Sequence, residues 1–444
     1  MTPAADPVQQ RRDLRAIVSD GVFFSAMVGL GETYVPAFAL AAGLGEVAAG
    51  LVATAPMLAG ALLQLVTPRA VRRLRSYRRW VVSCAALQAL SFVPLVAGAL
   101  QGRIRLEWLF LASVAYWAFG MATGPAWNAW VTSLVPSERR ARFFAGRTRA
   151  AQASLLLGVV SGGAVLEAGG GGGGSGLAFF AILFGAAMLA RLVSAACLAR
   201  QSEAPGLARE HRFLRPRGVL RSVRQAGSTR VLAYLLAMQI AVHVAAPYFT
   251  PYMLGPLDLS YGRFTALLSA AFVARIAVLP LLGRMAESRG TRFLLWWGAV
   301  GIVPLPVLWL VSHDFLYLLV LQLASGTAWA ALEFAMTLSF FEGIEQRDRT
   351  SVLTVFNVAN AVAIALGGAI GGQLFLHLGG SPAGYAWLFA ISSTARIATL
   401  VVLRGVPGAH RIRRFSFRTL AVRPSAGAVE RPILASEEDD ERQP

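Results

Sequence analysis

Twelve stretches of about 20 predominantly apolar residues follow one another along the 444-residue chain. At 1.5 Å of helix per residue, each is long enough to cross the hydrocarbon of a bilayer. No other feature restricts the fold as much. Backbone groups inside lipid must be satisfied by the chain itself, so only helices or a closed barrel can cross. The alternation of single apolar and polar residues that a barrel strand requires is absent. The chain therefore reads as an all-α polytopic membrane protein. The expected spans are 16–41, 47–67, 79–100, 108–134, 148–168 and 177–199, then 231–254, 262–282, 293–312, 314–341, 351–377 and 384–403. Only 14% of residues are charged, against about 25% in soluble domains.

The charges that remain carry topology. All basic residues are arginine, and the formal net charge is +18. Such a balance can signal nucleic acid, but here the arginines fall in alternate loops, which is the pattern of membrane orientation. Arg11, Arg12 and Arg15 precede the first span. Arg69, Arg72, Arg73, Arg75, Arg78 and Arg79 follow the second. Arg139, Arg140, Arg142, Arg147 and Arg149 follow the fourth, and Arg209, Arg212, Arg215, Arg217, Arg221 and Arg224 fill the segment between the sixth and seventh. Arg347 and Arg349 follow the tenth. The opposite loops hold Arg103, Arg105 and Arg263. An odd number of spans would scramble this separation. The positive-inside rule then places both termini and the central segment in the cytoplasm, with the protein in the inner membrane of a bacterium. The expected division is an arm (1–15), a six-helix bundle (16–199), a basic central loop (200–230), a second bundle (231–404) and a disordered tail (405–444). No cleavable leader is read at the start. Cys84 and Cys197 fall within spans and read as packing residues, and no metal-ligand cluster is present in the pattern.

The two bundles repeat one another at an offset of 205–211 residues. Gly158, Gly162 and Gly163 of span 5 correspond to Gly367, Gly371 and Gly372 of span 11. Phe184 and Arg191 of span 6 correspond to Phe389 and Arg396 of span 12, and Pro36 and Phe38 to Pro247 and Phe249. Between spans 8 and 9 lies GRMAESRGTR, residues 283–292. Its Gly283, Glu287, Gly290 and Arg292 resemble the signature loop of the major facilitator superfamily, G-x-x-x-D-x-x-G-x-R. That resemblance implies two parallel six-helix halves, alternating access and a substrate site near the membrane mid-plane. The loop is expected to gate the cytoplasmic face. In the first half the corresponding stretch, Pro68 to Tyr77, has Arg72 in place of the acid and Arg75 in place of the second glycine. The latch is therefore expected to run through Glu287 and the start of span 5 alone. The glycines of spans 5 and 11 also resemble part of the family's antiporter motif without its proline, which inclines the reading toward export. Close helix packing explains the same glycines.

Ionisable groups within spans are functional candidates, because burying one costs about 2.5–3.5 kcal/mol on insertion scales. In the family, spans 1, 4, 7 and 10 line the cavity. Glu32, about 15 residues or ~22 Å along span 1, is a proton-coupling candidate; the alternative is an acid bonded to Tyr34 near the outer mouth. Glu333 and His243 are the other proton-coupling candidates. Glu333 could pair with Arg275, as a switch or as a permanent structural pair, and Arg275 could instead hold an anionic substrate. Tyr34, Trp127, Trp329, Asn357 and Asn360 are further cavity candidates, with Tyr116, Trp117 and Trp130 nearby. Arg191 and Arg396 read as snorkelling or as bonded to neighbouring backbone, and Asp20 as a partner of Arg142 or Arg147. No Walker motif or nucleophile constellation is present, so direct use of ATP and enzymatic chemistry are not expected. The expected protein is a monomeric secondary transporter of a small molecule, proton-coupled, without cofactor or nucleic-acid partner. Proton-coupled uptake, or a non-transporting sensor or delivery protein on the same fold, is the alternative. A hydrated cleft touched by Glu32, His243 or Glu333 separates transporter from scaffold.

Overall fold

A computed structural model describes residues 7–169, 176–203, 229–343 and 346–405, with the side chains of 7, 137–139, 141, 340–343, 346–351, 353 and 354 left aside. The tail, most of the central basic segment and the Gly170–Gly174 run lie outside the described residues. So do the side chains of Arg139, Arg347 and Arg349. Among the described residues there are twelve spans. They are span 1 (Val8–Ala41), span 2 (Glu46–Leu74), span 3 (Tyr77–Leu100), span 4 (Leu106–Leu134), span 5 (Arg142–Ala168) and span 6 (Gly176–Ala199). The second half has span 7 (Thr229–Leu254), span 8 (Tyr261–Arg289), span 9 (Thr291–Leu308), span 10 (Phe315–Ser339), span 11 (Val355–His377) and span 12 (Pro382–Arg404). An even number of crossings puts Val8 and Gly405 on one face, here the terminal face; the other is the distal face.

The halves share one packing scheme. Span 1 packs on spans 5 and 6, and span 4 on spans 2 and 3. In the second half span 7 packs on spans 11 and 12, and span 10 on spans 8 and 9. Individual side chains repeat the scheme. Phe38 meets Phe184 edge-on with ring centroids 5.1 Å apart, and their counterparts Phe249 and Phe389 stack at 4.7 Å. The halves meet along span 5 against span 8 and span 2 against span 11. Outside, the usual burial pattern is inverted: Leu157 is 70% exposed and Val401 67%. A surface this apolar is stable only against lipid.

Three local outcomes differ from the sequence reading. Helix is already formed from Pro7, so residues 7–15 extend span 1 rather than form a separate arm; Asp13 there accepts a hydrogen bond from the Ser202 amide at 2.9 Å. The signature stretch at 283–292 is mostly helix. Span 8 continues to Arg289, and only Gly290 turns the chain, at φ 83°, before span 9 begins at Thr291. Its first-half counterpart turns without glycine and in a different conformation: Arg75 ends span 2 in the left-handed helical region, at φ 52° and ψ 27°. The amide of Tyr77, opening span 3, is capped by Glu203 from the end of span 6, which also accepts from Ser76.

Arg191 and Arg396 do not snorkel. Both are buried. Arg191 donates to Gln88 Oε1 at 2.8 Å and Ser194 Oγ at 2.7 Å, and its guanidinium lies 3.9 Å from Asp20. Asp20 also pairs with Arg147 at 3.5 Å, while Arg142 is exposed. Arg396 donates to the Ile302 carbonyl at 2.7 Å. That carbonyl is open because residue 306, which would bond it in a helix, is a proline without an N–H.

Candidate functional site

The site begins with two broken helices. Pro36 cannot donate to the Glu32 carbonyl, nor Pro247 to that of His243. Span 1 accordingly passes through a 3-10 turn, Glu32–Tyr34, and span 7 through Ala246–Tyr248. Glu32 and His243 are thus repeat counterparts: 243 − 32 and 247 − 36 both give 211. Each sits four residues before its proline, where a crossing helix opens.

Both residues line one cavity of about 270 Å³ between the halves. Its walls are mostly apolar and aromatic, with Phe92, Trp117, Phe249, Trp309 and Trp329 among them, and its polar groups include Tyr116, Arg275, Gln322 and Arg396. Glu32 accepts a hydrogen bond from the Tyr116 hydroxyl at 2.7 Å. The His243 Nδ1 lies 2.9 Å from the Gln239 carbonyl, so the neutral ring donates from Nδ1 and presents Nε2 as an acceptor. Arg275 Nη1 reaches both oxygens of Glu333, at 3.1 and 3.4 Å, and its guanidinium lies 5.9 Å from the Trp329 ring centroid. Such a mixture of apolar wall and a few placed polar groups suits a small organic ligand.

The cavity is closed toward the distal face. Tyr34 donates to the Val159 carbonyl of its own half, and its hydroxyl lies 3.2 Å from Thr265 Oγ1 of the other. Thr265 occupies the space a side chain at Gly163 would need. Glu167 accepts the Gly262 amide at 2.8 Å. On the opposite flank Tyr248 packs on Gly50, and Thr54 on Gly368. The remaining glycines of the series serve packing inside each half. Gly158 meets the span 1 backbone near Gly29, Gly162 the Tyr34 ring, Gly367 the Ile240 carbonyl and His243, Gly371 the Val244 carbonyl, and Gly372 the Tyr248 hydroxyl.

The candidates therefore separate. Glu32, His243, Arg275 and Trp329 reach the cavity; Glu333 stands behind Arg275. Glu32 is bonded to Tyr116, not to Tyr34, which belongs to the distal seal. Trp127 is not on the cavity: it is buried in the first half beneath the Arg147 guanidinium, 4.5 Å from its ring centroid. Asn357 and Asn360 lie on span 11 away from the cavity wall. Gly283 is buried, while Glu287 and Arg292 are exposed on the terminal face. Tyr116 and Trp117, read as aromatics near the cavity candidates, do line it; Thr265 and Gln322 were not legible as site residues, since small neutral side chains within spans carry no distinctive pattern. Arg396 did carry one, a charge in a span, but its repeat partner Arg191 argued for a shared structural role.

A family model described as Major Facilitator Superfamily matches residues 21–368. No curated protein sequence matches the chain. Among solved structures, the D-xylose-proton symporter superposes with a TM-score of 0.66 at 13% identity, covering 90% of this chain and 98% of that one. A bacterial homolog of the human lysosomal transporter Spinster, in an inward-facing and unoccupied conformation, gives 0.64 at 15% identity over 95% and 98%. The nucleoside transporter NupG gives 0.62 at 10% identity over 90% and 98%.

Proposed function

The chain belongs to the Major Facilitator Superfamily, and from that premise we propose that it is a proton-coupled secondary carrier of a small organic molecule, working by alternating access. The single observation that carries this reading is the cavity. Two proline-broken helices, one per half, bring a carboxylate and an imidazole to the walls of one cavity between the halves. A carboxylate in that setting is suited to taking up and releasing a proton as the space changes its access. Glu32 and His243 are the proton sites, and Tyr116 holds Glu32 toward the cavity. Glu333 instead serves to hold Arg275. By the positive-inside rule the arginine-rich terminal face is cytoplasmic, so the closed distal end is the outer gate. A non-transporting scaffold would fill the centre with apolar side chains; a cavity bordered by Glu32, His243 and Arg275 supports transport. The glycine series no longer argues for export, because packing accounts for each member, and direction follows the imposed gradients.

The test is proton flux in proteoliposomes loaded with a pH dye and screened with small organic solutes under an imposed pH gradient. A solute that moves protons with wild type should do so poorly with Glu32→Gln and His243→Gln. Full coupling in both variants would remove the assignment.

A further inference from the structure

Among the described residues, Arg396 stands apart from the other buried arginines, Arg147, Arg191 and Arg275. Its residue is 2% exposed, yet it borders the cavity. Its counterpart Arg191 is neutralised by Asp20 and bonded to Gln88 and Ser194. The repeat supplies no such acid in the second half: position 231, counterpart of Asp20, is valine. Among the described residues Arg396 makes no ion pair. One guanidinium nitrogen is spent on the proline-freed carbonyl of Ile302, and Nε makes no hydrogen bond. A buried guanidinium left without an anion is costly. Bracing the broken span 9 explains Nη1 but not the missing counter-charge or the idle Nε.

The other charged or titratable groups on the cavity are Glu32, bonded to Tyr116, then His243, and Arg275, already neutralised by Glu333. When Glu32 is protonated, the cavity carries one uncompensated positive charge, on Arg396. The cavity it borders is also lined by apolar and aromatic side chains, Leu305, Trp309 and Phe249 among them, with the Trp309 and Phe249 rings 5.4 Å apart. The space, about 270 Å³, is just below the range of drug-sized ligand pockets, about 300 to 1,000 Å³. We propose that Arg396 anchors a carboxylate group, and that the substrate is a small aromatic or apolar monoanion bound across the two halves. This rests on the carrier reading above and gives it a substrate class. Anion and Glu32 proton then occupy the cavity together, leaving it neutral.

The experiment is equilibrium binding to the purified full-length protein in detergent, with benzoate as probe and benzamide, its neutral counterpart of the same shape, as control. A charge-assisted bond predicts that benzoate binds at least about tenfold more tightly than benzamide. That preference should vanish in Arg396→Gln and persist in part in Arg396→Lys, which keeps the charge. Where Arg396→Gln does not fold, wild type and Arg396→Lys still decide, through the preference itself and its partial loss. No benzoate binding, equal binding of the two probes, or a full preference in Arg396→Gln overturns the proposal. The measurement uses no membrane gradient, so a failure of proton coupling in Glu32→Gln liposomes leaves it intact, and the two failures are separable.

Discussion

The Arg275–Glu333 pair yields a prediction with a sign and a size. Arg275 has 7% of its side chain exposed and Glu333 19%, and a single nitrogen, Nη1, serves both carboxylate oxygens. The geometry is thus not the two-nitrogen fork that makes the strongest pairs. Removing one member of a buried pair costs about 3–5 kcal/mol, chiefly from the charge left behind. The partial exposure of Glu333 and the single donor place this one near the lower end, about 3 kcal/mol. Arg275→Gln and Glu333→Gln should each lower the melting temperature in detergent, compared at one scan rate. The double variant should recover at least half the loss, because neither charge is stranded. Spans 8 and 10, which carry the pair, pack against each other within one half. Rocking of the halves does not separate them, so the pair is structural and not a switch. Proton-coupled flux in the double variant should therefore stay near wild type. A double variant as stable as either parent but with coupling abolished would refute the reasoning and return Glu333 to the proton path.

Arg75→Gly should stabilise the protein by about 1 kcal/mol, since a non-glycine residue in the left-handed region carries roughly 1–2 kcal/mol of strain; an unchanged or lower melting temperature would count against it. Gly163→Ala crowds Thr265 in the distal seal, and overpacking of this kind costs about 1–3 kcal/mol. It should raise labelling from the distal side of a cysteine placed at Thr250, and unaltered labelling would show that the seal does not depend on this contact. Glu287→Ala should shift the same labelling ratio more than Arg72→Ala, since only the second half keeps the acid of the signature stretch; equal shifts would dispose of a one-sided latch.

Much of the fold was legible because lipid leaves few choices. Apolar length gave the spans, and the arginine alternation gave their parity. The boundaries slipped where capping, rather than hydropathy, decides. Span 8, expected to end at 282, runs through a polar last turn to Arg289, whereas span 10 starts within a residue of expectation, where the Asp314 side chain accepts the Tyr317 amide at 2.9 Å. The site was legible only in part. Charged residues within spans stand out, so Glu32, Arg275 and Glu333 could be read. Which tyrosine meets Glu32 could not, because Tyr34 and Tyr116 differ only in where tertiary packing sends them. Trp127 shows the converse: an aromatic on a cavity-lining helix faces the cavity or the bundle core according to a rotation that composition does not encode.

The repeat explains why chemistry concentrates where it does. Both halves keep the proline that breaks the first helix, the phenylalanine pair behind it and the arginine on the last helix. These hold the scaffold, and a change in one copy would cost stability in that half. The position four residues before each proline carries no such constraint, since the proline withdraws the helical partner of its carbonyl in either case and its side chain lines the cavity. There the copies have diverged to glutamate and histidine. The acid beside the last-helix arginine has diverged too, present as Asp20 in one half and absent in the other. Two substitutions on a shared frame thus turn a symmetric bundle into an asymmetric site, with an acid and an imidazole on the walls of one cavity and one arginine left to be answered by the ligand.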